Sequence, residues 1–186
     1  MDVVRVLEFE HVEKTPYQYD IDIILKEWGI LKPKLRDNMW HNGNQTCIQH
    51  SDTCKDIFTE GCGSISRAGG RTESDFRLMN PLYEGTIFEQ IINDMCAHRT
   101  RIMTLPKRNC YSIHTDRTLR LHLALETNKD ALFFWPEDMV MKHIPADGNI
   151  YRTDTTRKHT FMNCGLEQRT HMVMCEPVEW CARSLM

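Results

Sequence analysis

The sequence contains no apolar run long enough to cross a membrane, no Cys-x2-Cys pair and no G-x4-G-K-[ST] phosphate loop. Nor does it carry an excess of positive charge. Its 23 Lys and Arg against 26 Asp and Glu leave a formal net charge of -3, which gives no electrostatic case for a nucleic-acid or membrane-surface partner. The opening "MDVVRVLEFEHVEK" is charged and alternating, unlike a secretory leader. Val4, Val6 and Phe9 set among Arg5, Glu8 and Glu10 suggest an opening strand, and a cytoplasmic protein is expected. Eight cysteines in 186 residues fall well short of a disulfide scaffold, so reduced thiols are expected.

What is present divides the chain into two textures. The expected plan is one domain over 1–186: N-terminal strands, loops and supporting helices over 1–98, a β core over 99–175, and a tail over 176–186. Residues 20–31 place Ile23, Ile24, Leu25, Trp28 and Leu31 at near-helical spacing. Residues 38–81 suit short strands separated by loops. Thr86 and Glu89 form a capping-box pattern ahead of an apolar stripe of Ile87, Phe88, Ile91, Ile92 and Met95. After residue 100 come short runs of strand length, "RIMTL", "CYSIHTD", "RLHLALE", "ALFFW", "NIYRTD", "HTFMN" and "RTHMVMC", broken by turn residues such as Asp147-Gly148. Regularly spaced short strands predict an antiparallel barrel or jelly roll.

The stretch "YSIHTDRTLRLHLALETN" (111–128) carries His114, Asp116, Arg120 and His122 at even positions and Leu121, Leu123 and Leu125 at odd ones. In a strand these would form one polar and one apolar face. Two histidines and one carboxylate can occupy one face of an octahedral metal and leave three positions open. His159 supplies the second imidazole, and Arg169 follows ten residues later. Alone, His-x-Asp suits a surface turn, His159 a core histidine and Arg169 a surface charge; their joint order points to a metal site.

With those residues in place, "RIMTLPKRNCYSIHTDRTLRLHLALETN" and "DGNIYRTDTTRKHTFMNCGLEQRTHMVM" resemble the aspartyl/asparaginyl β-hydroxylase family of Fe(II)/2-oxoglutarate oxygenases, which includes bacterial proline hydroxylases. The resemblance runs from about 99 to 175. It implies a mainly β, double-stranded β-helix fold (jelly roll, cupin-like) with flanking N-terminal helices. It implies Fe(II) on His114, Asp116 and His159, and Arg169 on the distal carboxylate of 2-oxoglutarate, a task suited to a planar guanidinium. Arg120 and His122 match the family's Arg-x-His near the cosubstrate's other end or the substrate. Thr104 falls near a hydroxyl that assists the distal carboxylate. Asn128 and Asn163 match recurrent positions that could meet substrate, or close turns by hydrogen bonding. Asp154 and Thr160 are candidates to orient the imidazoles. The implied reaction consumes O2 and 2-oxoglutarate, releases succinate and CO2, and hydroxylates an amino-acid side chain, free (proline, for example) or peptidyl Asp, Asn or Pro. Animal members have glycine where this chain has Asp116, which draws it toward the small bacterial amino-acid hydroxylases. The loops expected to choose the substrate are 38–81 and 136–146.

Two other readings stand beside this one. A redox-inactive jelly roll could hold Zn(II) or Mn(II) on the same three ligands. Alternatively, Cys47, His50, Cys54 and Cys62 could hold structural zinc in an interaction module, although C-x2-H-x3-C-x7-C is not a common zinc spacing.

Overall fold

The computed structural model describes residues 11–177; the expected opening strand through Val4, Val6 and Phe9 and most of the C-terminal tail lie outside them. In chain order the elements are β1 (Val12–Gln18), α1 (Ile21–Leu31), β2 (Gln45–Cys47), β3 (Gln49–His50), β4 (Leu78–Met79), α2 (Ile87–Asp94), β5 (His98–Leu105), β6 (Asn109–Cys110), β7 (Arg120–Glu126), β8 (Ala131–Trp135), β9 (Val140–His143), β10 (Asn149–Thr153), β11 (Thr160–Asn163) and β12 (Arg169–Cys175). A six-stranded sheet in the order β1-β10-β7-β12-β5-β2 faces a four-stranded sheet in the order β6-β11-β8-β9, and their pairings are antiparallel. This is the double-stranded β-helix that the strand spacing and the resemblance predict. β1 and β2, from the first half of the chain, form the two edges of the larger sheet.

Alternation along the strands decides what lies between and behind the sheets. Leu121, Leu123, Leu125, Met172 and Met174 point away from the barrel and pack with Ile24, Trp28, Phe88 and Ile91 of the helices. Each such fully buried side chain contributes about 1.5–3 kcal/mol. The opposite phase, Leu105, Ala124, Phe133, Trp135 and Phe161, fills the space between the sheets. Asp20 caps α1 by accepting from the backbone N–H groups of Asp22 and Ile23. Trp28 Nε1 then fixes that helix to the end of β7 through Glu126 Oε1 at 3.0 Å.

Three expectations change. The reciprocal capping box at α2 does not form: Thr86 Oγ1 donates to Tyr83 O at 2.6 Å, while Glu89 accepts from the N–H of Gly85, one residue before the cap. "CYSIHTD" is not a strand. Only Cys110 belongs to one, and residues 111–119 run as a loop pinned by an isolated bridge between His114 and His159. Conversely, Val140–His143 within 136–146 is a strand, paired with β8.

The turn at Asp147-Gly148 ties the sheet edge together. Gly148 has φ +78°, and a Cβ on it would lie 2.1 Å from the carbonyl oxygen of Tyr19, whose N–H donates to Gly148 O at 2.9 Å. Gly148→Ala is expected to cost about 1–3 kcal/mol, for strain at positive φ and displacement of β1. Urea unfolding measures it, and an unchanged midpoint would contradict the packing of this turn.

Candidate metal and oxyanion site

His114, Asp116 and His159 each offer a ligand atom, and the three atoms lie within 4.8 Å of one another. Backbone hydrogen bonds set this convergence. His114 N–H donates to His159 O at 3.0 Å and His159 N–H to His114 O at 2.9 Å, while Asp116 N–H donates to Thr155 O at 2.8 Å. The rings stand 4.5 Å apart between centroids. His114 Nδ1 faces Ser112 O at 2.7 Å and His159 Nδ1 faces Arg157 O at 3.0 Å. A carbonyl accepts only, so each Nδ1 carries the proton and each Nε2 keeps its lone pair for a metal. Burial pushes the His159 imidazole below the ordinary histidine value, which favours the neutral, ligating form.

Asp154 and Thr160 do not orient the imidazoles directly. Asp154 accepts from Thr156 and Arg157 and shapes the turn before His159, and Thr160 Oγ1 donates to Tyr111 O at 2.7 Å. The orienting groups are the carbonyls of Ser112 and Arg157, which no side-chain pattern in the sequence could reveal.

Asp116 is held from behind. Its Oδ1 lies 3.2 Å from Arg120 Nη2, and Arg120 in turn grips Glu73 at 2.6 Å. Glu73 also meets Arg99 at 3.3 Å and accepts from Thr118 Oγ1 at 2.5 Å. Glu73 sits within 38–81, the segment that reads only as short strands separated by loops. Its role depends on a contact 47 residues away in sequence, so it is a site residue the sequence did not disclose.

A cavity of about 440 Å³ opens beside the three ligands, within the usual range for small-molecule sites of about 300–1,000 Å³. Its walls include Arg120, His122 and Arg169. Arg169 is 1% exposed; its Nη2 donates to His171 Nδ1 at 2.6 Å, and its guanidinium lies 4.0 Å from the Phe161 ring centre. Among the described residues no carboxylate comes within ion-pairing distance of it. Burial accordingly pushes the guanidinium down, to about 9. An anion bound there would oppose that shift. Burial, and next the charge of Arg169, hold His122 and His171 well below the ordinary histidine value, so both rings are neutral.

Buried polar atoms without partners gather here: Arg169 Nε, both ring nitrogens of His122, His171 Nε2 and Tyr111 Oη. Buried polar groups are nearly always hydrogen-bonded, so a concentration of unmet donors marks a place where a ligand completes the bonding. The His-Asp-His donors fit Fe(II), and the carboxylate-free arginine with its neighbouring donors fits 2-oxoglutarate.

The remaining candidates lie elsewhere. On β5, Arg99, Arg101 and Met103 line the cavity, which puts Thr104 on the outer face, where its hydroxyl meets Thr170 Oγ1 at 3.1 Å. Asn128 Nδ2 donates to Asn163 Oδ1 at 3.1 Å, and Asn163 Nδ2 reaches the carbonyls of Leu105, Pro106 and Glu167. These two asparagines clamp the strand connections at the end of the barrel. From 38–81, Gln45 and residues 63–66 reach the cavity, whereas 136–146 contributes nothing to its lining. Cys47 and Cys62 lie 3.4 Å apart at Sγ, and Cys54 Sγ is 3.4 Å from His50 Nδ1. These four do not converge on one point: among the described residues His114, Asp116 and His159 are the one group of three or more that could hold a metal. The described cysteines are free thiols, as expected. No described helix is long and apolar enough to cross a membrane.

No family model matches the chain, and no curated protein is similar to it. Solved structures are. An oxidoreductase of the 2OG-Fe(II) oxygenase family from Burkholderia pseudomallei superposes with a TM-score of 0.54 at 14% identity, over 89% of this chain and 84% of that one. A Pseudomonas putida prolyl-4-hydroxylase gives 0.51 at 10% identity, over 90% and 93%. AviO1 from Streptomyces viridochromogenes Tue57 gives 0.50 at 8% identity, over 91% of each. The chain shares the double-stranded β-helix fold of these proteins.

Proposed function

We propose that this chain is a non-haem Fe(II)- and 2-oxoglutarate-dependent dioxygenase that hydroxylates an amino-acid side chain, of the aspartyl/asparaginyl β-hydroxylase type. The observation that carries this reading is the position of Arg169: a buried guanidinium with no carboxylate partner among the described residues, opening on the same cavity as the His-Asp-His group. A barrel that merely stored Zn(II) or Mn(II) would have no use for an uncompensated interior cation, whose burial costs several kcal/mol, on the order of 3–5 when such a charge loses its partner. A carboxylate ligand removes that cost.

Bound together, Fe(II) and 2-oxoglutarate supply the oxidising chemistry: with O2, 2-oxoglutarate becomes succinate and CO2, and a substrate C–H becomes C–OH. The chain's own contribution is placement. His114, Asp116 and His159, which converge at the cavity wall, would hold the metal. Arg120, backed by Glu73, keeps the Asp116 carboxylate turned inward. His122, neutral and unpartnered, offers a ring N–H or a lone pair to whichever oxygen lies beside it. Phe133 and Phe161 give the cavity its apolar wall.

Protein loaded with Fe(II) is expected to convert 2-oxoglutarate to succinate during incubation with free proline and other amino acids or with Asp-, Asn- or Pro-containing peptides. Zn(II)-loaded protein is expected to be inert. Equal absence of succinate from both forms, with Fe(II) bound and the fold intact, would favour the redox-inactive barrel.

A further inference from the structure

Glu73 pairs with both Arg99 and Arg120, and Asp116 with Arg120, which leaves a second interior arginine besides Arg169 without a carboxylate. Arg101 is 5% exposed and lines the cavity. Its Nη1 donates to Gln45 Oε1 at 3.2 Å, and Gly63 N–H donates to that same oxygen at 3.0 Å, so the anchor is fixed from two sides. Its Nε is buried with no partner, and among the described residues no carboxylate pairs with it. With Nη1 bonded to Gln45 and Nε unpaired, Nε and Nη2 are the adjacent donors left to Arg101, and such a pair can donate side by side to two carboxylate oxygens. The exposed Arg117 adds charge of the same sign to the cavity rim.

Arg101 is not placed to share the anion of Arg169. It pairs across the sheet with Val173, and His122 pairs with Val173 from the other side, so Arg101 and His122 lie in one row. Arg169 pairs with Leu105 four residues away, roughly 13 Å along the strand at about 3.3 Å per residue. The loop over Arg101, residues 63–66, forms the other wall of that part of the cavity.

We propose that the group hydroxylated belongs to a small substrate bearing a free carboxylate, which Arg101 binds through its Nε edge. This rests on the oxygenase reading and narrows it: a free amino acid or comparable small carboxylic acid fits, a peptidyl Asp fits only through its side-chain carboxylate, and a peptidyl Asn or Pro, which offers amides alone, does not.

The test uses the whole chain under anaerobic Fe(II) and saturating 2-oxoglutarate, with acetate as probe and acetamide as its neutral counterpart at fixed ionic strength. Acetate is expected to raise the thermal midpoint saturably, acetamide is not, and Arg101→Gln should weaken the acetate response at least tenfold. The visible band of the Fe(II)·2-oxoglutarate complex should keep its half-saturating 2-oxoglutarate concentration in that variant. Should Arg101→Gln not fold, Arg101→Lys, which keeps the charge and loses the fork, replaces it. An absent acetate effect, an undiminished effect in the variant, or a matching loss of 2-oxoglutarate affinity would each overturn the proposal. If wild type gives no band, the oxygenase reading fails instead, and the acetate response of Fe(II)-loaded protein still decides whether Arg101 binds a carboxylate.

Discussion

Replacing Asp116 or His114 by alanine is expected to lower Fe(II) affinity and turnover at least 100-fold while leaving the thermal midpoint near that of wild type. Losing a group that only orients a ligand typically costs about 10–100-fold, so losing a ligand should cost more. The small stability effect follows from position. His114 is exposed and Asp116 is partly so, both in a loop and not in a sheet ladder. Substitutions at such places usually stay within about 0.5 kcal/mol. Arg120 keeps Glu73 as its partner when Asp116 is lost, so no buried charge is stranded. Metal content and calorimetry read the two effects separately. A variant that keeps both iron and activity would remove that residue from the ligand set.

The largest stability effect is expected at Glu73. Its carboxylate is nearly buried between the guanidinium groups of Arg99 and Arg120, and Glu73→Ala would leave two interior cations without it. Breaking such a pair costs about 3–5 kcal/mol. Burial alone would raise the Glu73 carboxyl; Arg120, the Thr118 hydroxyl and Arg99 outweigh it and hold the group below the ordinary carboxylate value. The folded state therefore favours the ionised form. Its stabilising contribution is complete above the unfolded carboxylate pKa of about 4.3 and is lost as pH falls through the lower folded value. Acid unfolding should thus begin below that range, and Glu73→Gln should flatten the acid limb of the stability profile. Because Glu73 acts on Asp116 only through Arg120, the same variant is expected to weaken metal binding by about 10–100-fold. An unchanged stability in Glu73→Ala would contradict the triad.

Much of this architecture is legible in the chain. β7, β8 and β12 coincide with the runs "RLHLALE", "ALFFW" and "RTHMVMC", because each alternates along a continuous ladder between a barrel face and an outer face, which packs on the helices at β7 and β12 and is half-buried at β8. The stretch 111–119 alternates in the same way but has no continuous partner, so its pattern reads as strand while its backbone is held at scattered points. Thr104 illustrates how sharp the period is: one position away, Met103 and Leu105 face inward. Arg101 and Glu73 were opaque for another reason. Which arginine keeps a carboxylate partner depends on contacts between segments far apart in the chain, and no local spacing encodes that.

Arg169 bears most directly on the central claim. Anaerobic protein should be given Fe(II) and then 2-oxoglutarate, and the visible metal-to-ligand charge-transfer band followed in wild type and in Arg169→Ala. A band in wild type that needs much more 2-oxoglutarate in the variant is the expected result. Iron-loaded, folded wild type that gives no band, or a variant that binds 2-oxoglutarate as well as wild type, would contradict the assignment of this cavity.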